Sequence, residues 1–109
     1  MREAKVIYKN EEAGLLSQLD NGDFVFRYHD SWFHSADSPA ISLTLPKHKQ
    51  EYHAKHLFPF FYNMLPEGSN KQVVCQALRI DKTDHFGILL HTAATDTIGA
   101  VRIIKIGNE

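Results

Sequence analysis

The sequence contains a single cysteine, Cys75, in 109 residues. One thiol cannot close an internal disulfide, so nothing in the chain calls for an oxidising compartment and a cytoplasmic location is expected. A surplus of charge is missing too: 12 Lys and Arg face 13 Asp and Glu, a net −1 with the seven histidines neutral. That balance supplies no long-range attraction to nucleic acid or to an anionic membrane. No apolar run approaches membrane-spanning length, and the N-terminal Met1-Arg2-Glu3-Ala4-Lys5 is charged rather than leader-like. The six glycines stand apart from one another, so neither a Gly-x-Gly-x-x-Gly turn nor a Walker-type loop exists. Repeats, low-complexity segments and linkers are absent. What is present is 43% hydrophobic and 23% charged residues, the make-up of one globular domain over 1–109.

The first third reads as β structure. Val6 and Tyr8, then Ala13 and Leu15, flank a turn at Lys9-Asn10-Glu11-Glu12, and Gly14 marks a bulge or a close backbone approach. Asn21-Gly22 carries the hairpin signal, since both residues tolerate the positive φ of a type I′ turn. Beyond it Phe24, Phe26 and Tyr28 alternate with Asp23, Val25, Arg27 and His29, giving a strand with an aromatic face. Asp30 to His34 is long enough for one helical turn. Ser38 to Pro46 alternates again, with Ile41, Leu43 and Leu45 on one side and Ser42 and Thr44 on the other, and predicts a further strand.

The middle of the chain changes period. Leu57, Phe58, Phe60, Phe61, Met64 and Leu65 fit an amphipathic helix that starts near Ala54 or Lys55 and stops before Pro66, with Pro59 in its first turn. After the corner Leu65-Pro66-Glu67-Gly68, Ser69 or Asn70 is expected to cap a second helix that turns Val73, Val74, Ala77 and Leu78 inward. Asp81-Lys82-Thr83-Asp84 caps a third, with Phe86, Leu89, Leu90 and Ala93 on its apolar side. A last strand runs from Ile98 to Ile106. The expected class is α+β: a small, mostly antiparallel sheet, built from an N-terminal meander and a C-terminal strand, packed with about three short helices.

Chemistry is hard to assemble from these residues. His53 and His56 stand three apart, as on one helical face, and His29 and His34 flank Trp32. No His-Glu-x-x-His helix occurs and Cys75 has no partner at zinc-ligand spacing, so no metal site is expected. No Gly-x-Ser-x-Gly elbow surrounds a serine, and Cys75 sits among helix residues as a small hydrophobe. The paired carboxylates lie at caps and turns, where they complement helix dipoles. Neither an enzyme nor a cofactor is expected.

Two features exceed what folding needs. Trp32 and Phe33 sit in a polar stretch, either plugging one end of the sheet or forming part of a binding surface. The corner Asn63-Met64-Leu65-Pro66-Glu67-Gly68 is either a plain helix stop or a projecting loop that offers Leu65 and Glu67 to a partner.

The order of the blocks adds a resemblance. Asn21-Gly22 with Phe26-Arg27-Tyr28, Trp32, Pro39-x-Ile41-Ser42-Leu43-Thr44-Leu45-Pro46, Phe60-Phe61-Tyr62-Asn63-Met64-Leu65-Pro66-Glu67-Gly68, and Phe86-Gly87-Ile88-Leu89-Leu90 with Ile98-Gly99-Ala100-Val101 resemble the N-terminal subdomain of HipA-type serine/threonine kinases. The resemblance runs from about Lys5 to Ile106. In that family the Gly-rich loop, the ATP-pairing lysine and the magnesium ligands follow this subdomain, so no residue here inherits a catalytic role. A free-standing version resembles HipS, the antitoxin of the three-component HipBST systems. There the shortened kinase HipT is the toxin and HipB is a helix-turn-helix DNA-binding protein. The resemblance thus implies an antitoxin that binds and inhibits a HipT/HipA-like kinase, in a complex with a HipB-like protein and without touching DNA or membrane itself. The partner-binding residues it points to are Trp32, Phe33, Phe60, Asn63, Met64, Leu65, Pro66, Glu67, Gly68 and Ser69. A non-inhibitory scaffold of the kinase–HipB complex, an excised N-terminal domain of a full-length HipA kinase, and a small enzyme with an unrecognised site are the competing readings.

Overall fold

Alternation along the N-terminal third produces three antiparallel strands, β1 (Arg2–Tyr8), β2 (Glu11–Gln18) and β3 (Phe24–Tyr28). The computed structural model describes residues 2–66, 68–92 and 101–106. Within them α1 (Asp30–His34), β4 (Glu51–Ala54), α2 (Pro59–Tyr62), α3 (Gly68–Leu78), α4 (His85–Thr92) and β5 (Val101–Ile106) complete the fold. The strands form one antiparallel sheet in the order β4-β3-β2-β1-β5, with Val6 opposite Ile103 and Phe26 opposite Tyr52. The α+β expectation holds, with four helices, two of them of five residues or fewer.

Both expected turns are present, between β1 and β2 and between β2 and β3, but the type I′ geometry expected of the second belongs to the first. Lys9 and Asn10 take φ of 48° and 71° between the paired residues Tyr8 and Glu11, so the two-residue hairpin of type I′ character lies there. Of Asn21-Gly22, only Gly22 has positive φ, at 94°. Leu19 N–H bonds to Asp23 O and Gly22 N–H to Leu19 O, which closes a three-residue loop with its glycine in the left-handed position. Gly14 answers the expectation of close approach: a Cβ there would lie 2.5 Å from the Arg27 carbonyl and 3.0 Å from the Phe26 ring.

Three further expectations are corrected. Residues 38–46 form no strand, because side chains satisfy their backbone: Tyr28 donates its hydroxyl to Leu45 O and accepts from Ile41 N–H at 3.1 Å. Ile41 and Leu45 are buried, but Leu43, expected on the same side, is 98% exposed. The helix placed at Ala54 or Lys55 begins instead at Pro59, since Ala54 ends β4 and Phe58 takes the extended conformation that a following proline favours. Gly68 opens α3, so Ser69 and Asn70 lie in its first turn rather than at the cap, and the helix buries Cys75 while Val73, Ala77 and Leu78 face outward. Ala93 and Ile98 to Ala100 lie outside the described residues; Val101–Ile106 form the closing strand.

The aromatic face of β3 builds the core. Phe24 meets Phe86 of α4 with ring centroids 6.0 Å apart, and Phe26 meets Phe61 of α2 at 5.7 Å. Leu16, Val6 and Ile103 extend that face across β2, β1 and β5. α4, buried from Phe86 to Leu90, begins at an N-cap made by Asp84, whose Oδ1 accepts the Gly87 N–H at 3.1 Å. Arg2 binds both oxygens of the same carboxylate, at 3.1 and 2.7 Å, across 82 residues. It also donates to Gln18 Oε1 and lies over the Phe86 ring. A Cβ on Gly87 would meet Asp84 Oδ2 at 2.3 Å, so this clamp requires glycine there.

Two stability predictions follow from these ends. The Arg2 guanidinium beside Asp84 holds its carboxyl below the ordinary 3.8. A depressed carboxyl stabilises the fold above its unfolded value and loses that contribution as pH falls through the folded one. Asp84→Ala should cost about 1–2 kcal/mol by urea unfolding at neutral pH, whereas Asp84→Asn, still a good cap, should cost less. The gap between wild type and Asp84→Asn should close as pH drops below about 4. α3 ends with Arg79 at φ 56° and Ile80 N–H bonded to Cys75 O at 2.9 Å, a Schellman cap in which arginine sits where glycine is preferred. Arg79→Gly should therefore raise stability by about 0.5–1 kcal/mol, read as a higher urea midpoint.

Candidate partner-binding surface

Trp32 belongs to the core. It is 6% exposed, donates Nε1–H to Pro39 O at 2.9 Å and meets Tyr8 edge-on at 5.7 Å. Phe33, next to it, is half-buried against the same core and touches the His34 ring. Of the two readings of this pair, plug and surface, the structure places Trp32 as a plug and leaves part of Phe33 at the surface.

The connection 35–50 is anchored side chain by side chain. Lys47 Nζ donates to Ser35 O at 2.7 Å and Ser38 O at 2.6 Å, and Tyr52 donates its hydroxyl to Pro46 O at 2.6 Å. Gln50 Nε2 bridges Tyr28 O and Asp30 Oδ1, and that bond lowers the Asp30 carboxyl below its usual range. Burial pushes the Tyr28 phenol upward. The loop is thereby held in one course although it lacks a ladder, and Leu43 stands out from it into solvent.

The second candidate region is the corner after α2. Asn63 N–H reaches Pro59 O at 2.9 Å, Met64 N–H reaches Phe61 O and Leu65 N–H reaches Tyr62 O at 3.1 Å each, so the chain tightens before Pro66. Leu65 is buried, Phe60, Met64 and Pro66 are half-buried, and Asn63 is exposed. Glu67 lies outside the described residues, and Gly68 and Ser69 open α3. Tyr62, next to the corner, is 46% exposed, and along α3 Val73 is 64% and Leu78 45% exposed.

Val73 and Leu78 are surface residues that the sequence reading turned inward. The signal against that reading was Cys75. A free cysteine is among the most buried residue types, and a residue two positions away on a helix is rotated by about 200° to the opposite side. Once Cys75 is inward, Val73 and Ala77 must face out.

Histidine geometry departs from the metal pattern considered above. His53 lies in β4 and pairs with Glu51, not on a helix with His56, and His29 pairs with Glu12. Among the described residues no three His, Cys, Asp or Glu side chains are grouped to hold an ion. The outer sheet face carries charges in pairs, Lys5 with Glu12 and Arg27 with both Asp30 and Glu51. Such exposed pairs contribute little stability but keep that face hydrated.

A five-stranded antiparallel sheet, covered by α2, α4 and an anchored loop, spans almost the whole chain. Residues 4–104 match the family model of the HipA N-terminal domain. The chain belongs to that family. A solved structure described as the N-terminal domain of HipA toxin superposes with a TM-score of 0.74 at 32% identity, covering 100% of this chain and 96% of the other. Putative kinase Y4mE of Sinorhizobium fredii is 29% identical over 109 residues, and the chain spans 26% of that protein's length. An uncharacterized protein of Haemophilus influenzae is 33% identical over 103 residues, with 94% of this chain and 92% of that protein covered. The HipA N-terminal domain is thus found both as one part of a much longer putative kinase and as nearly the whole of a small protein. No helix among the described residues is long and apolar enough to cross a membrane.

The Tyr28 anchor is testable in this HipA N-terminal domain. Tyr28→Phe removes one donor and one acceptor and strands the Ile41 N–H. It should cost about 1–3 kcal/mol and accelerate hydrogen exchange at Ile41 and Leu45 more than in β1.

Proposed function

We propose that this chain is an antitoxin-like regulator, similar to HipS, that binds a HipT/HipA-family serine/threonine kinase and inhibits it by protein–protein contact. Its setting is the cytoplasm, in a complex that also holds a HipB-like helix-turn-helix protein, and it performs no catalysis itself. The observation that carries the reading is the pair of relatives: one in which this domain is about a quarter of a putative kinase, and one in which it is nearly a whole protein. A domain that packs against a kinase within one chain keeps a complementary face when it is made separately, and can bind in trans.

The proposed contact surface is the corner Phe60, Asn63, Met64, Leu65, Pro66, Glu67, Gly68 and Ser69, extended by Tyr62, Val73 and Leu78. Its chemistry suits a protein partner: apolar side chains, partly exposed, with polar groups around them. Phe33 adds a second patch, which Trp32 supports from within the core. The reading as the excised N-terminal domain of a longer kinase is favoured by the Sinorhizobium relative alone and uses the same face.

Kinase autophosphorylation with and without this chain, in the absence of the HipB-like protein, separates inhibitor from scaffold. Loss of activity is expected; unchanged activity despite binding would leave a scaffold. Val73→Asp and Met64→Asp alter exposed or half-exposed positions, so the fold should survive. Each should weaken kinase binding at least about tenfold, roughly 1.4 kcal/mol. Wild-type binding by both folded variants would place the interface elsewhere, and failure of the tagged chain to co-purify with any HipA-family kinase would refute the regulatory reading.

A further inference from the structure

We propose that a cleft between the β4–α2 connection and the start of α4 is a binding site for a phosphoryl group. The inference is independent of the kinase-binding reading. The cleft has a volume of about 440 Å³, within the range of small-molecule sites. Its rim carries Lys55 and His56 from the connection and His85 from the first turn of α4. Three nitrogen-bearing side chains from two distant segments therefore converge on one depression. Among the described residues neither Lys55 nor His56 has a hydrogen-bond or ion-pair partner, so both are free to meet a ligand, as several other surface cations are.

The surrounding groups favour an anion. No carboxylate lines the cleft. The nearby Asp84 is held through both oxygens by Arg2, and Asp81 is occupied by the Thr83 hydroxyl and N–H. Gln18 Oε1 accepts from Arg2, which leaves the Gln18 amide N–H groups as the donors still available at the wall. Tyr62 stacks edge-on against His85, with centroids 5.1 Å apart at 87°, and fixes that ring at the rim. Phe24 and Leu57 form an apolar floor. A phosphoryl group, with close to two negative charges and three acceptor oxygens, matches one lysine, two imidazoles and an amide better than a carboxylate or a neutral ligand would.

The test is a ¹H–¹⁵N NMR titration of the folded chain with inorganic phosphate, with pyrophosphate, and with a phosphoserine peptide alongside its unphosphorylated form. Saturable shifts at Gln18, Lys55 to Leu57 and Thr83 to Phe86 are expected. Saturation by phosphate or pyrophosphate assigns the site to a free ligand, and saturation by the phosphopeptide alone assigns it to a protein-borne group. Lys55→Gln combined with His56→Gln should weaken the affinity at least about tenfold. Lys105→Gln, on the strand at the opposite sheet edge, removes the same type of charge and should leave it unchanged. Non-saturating shifts with every anion would overturn the proposal, as would equal affinity in the double variant with its spectrum otherwise intact.

Discussion

Everything on the covered face of this domain refers back to one short strand. β3 contributes three inward aromatic side chains, and each is met by a different segment: Phe24 by α4, Phe26 by α2 and Tyr28 by the loop that contains Ile41 and Leu45. The period of two along a strand places these rings on one side, and large aromatic areas supply much of the apolar burial in a small core. Two of the three contacts are ring against ring and tolerate some sliding. The third is not, because the Tyr28 hydroxyl must satisfy two backbone groups away from water. The same strand thus both collects the core and fixes the course of the longest irregular stretch.

A second tie controls the ends. The Asp84 carboxylate caps α4 and receives Arg2 at the same time, so a local helix signal and a contact between residues 82 positions apart depend on one side chain. Because Arg2 also reaches Gln18 and overlies Phe86, strands β1 and β2 and helix α4 are held together at one point. The absence of a Cβ at Gly87 gives the carboxylate its room. Cap and clamp together lock the start of α4 against the sheet, and the cleft proposed as a phosphoryl site opens beside that rigid point.

Much of this was legible from residues alone. The aromatic alternation at Phe24, Phe26 and Tyr28 is where it was expected, the cap falls within the expected stretch Asp81 to Asp84, and Gly14, read as a bulge or a close approach, is a close approach. The misses share a physical cause: a local pattern was overruled by a contact distant in sequence. Ser38 to Pro46 alternates like a strand, yet its backbone groups are claimed by Tyr28, Trp32 and Tyr52. Asn21-Gly22 does turn the chain between β2 and β3 as expected, but in a three-residue loop, and the two-residue hairpin of type I′ character lies at Lys9-Asn10. The surface proposed for a partner was half legible. The corner after α2 stood out by its residues, while Val73, Ala77 and Leu78 were turned inward although the burial also expected of Cys75 places Val73 and Ala77 on the opposite side of the helix.

That outward side explains why membership in the HipA N-terminal domain family has consequences for function. A domain of this size buries a modest share of its chain, so each apolar residue left outside is a forgone contribution to stability. α3 buries Cys75 and half-buries Val74, yet exposes Val73, Ala77 and Leu78. For a helix whose stability comes mainly from packing, apolar side chains left outside in this way contribute little to the isolated domain. In a protein where the domain is about a quarter of a putative kinase, a covering surface can be supplied by the same chain. Where the domain is nearly the whole protein, the proposed reading has another molecule supply it. In the reading proposed above, these exposed residues are among those that would pack against the kinase.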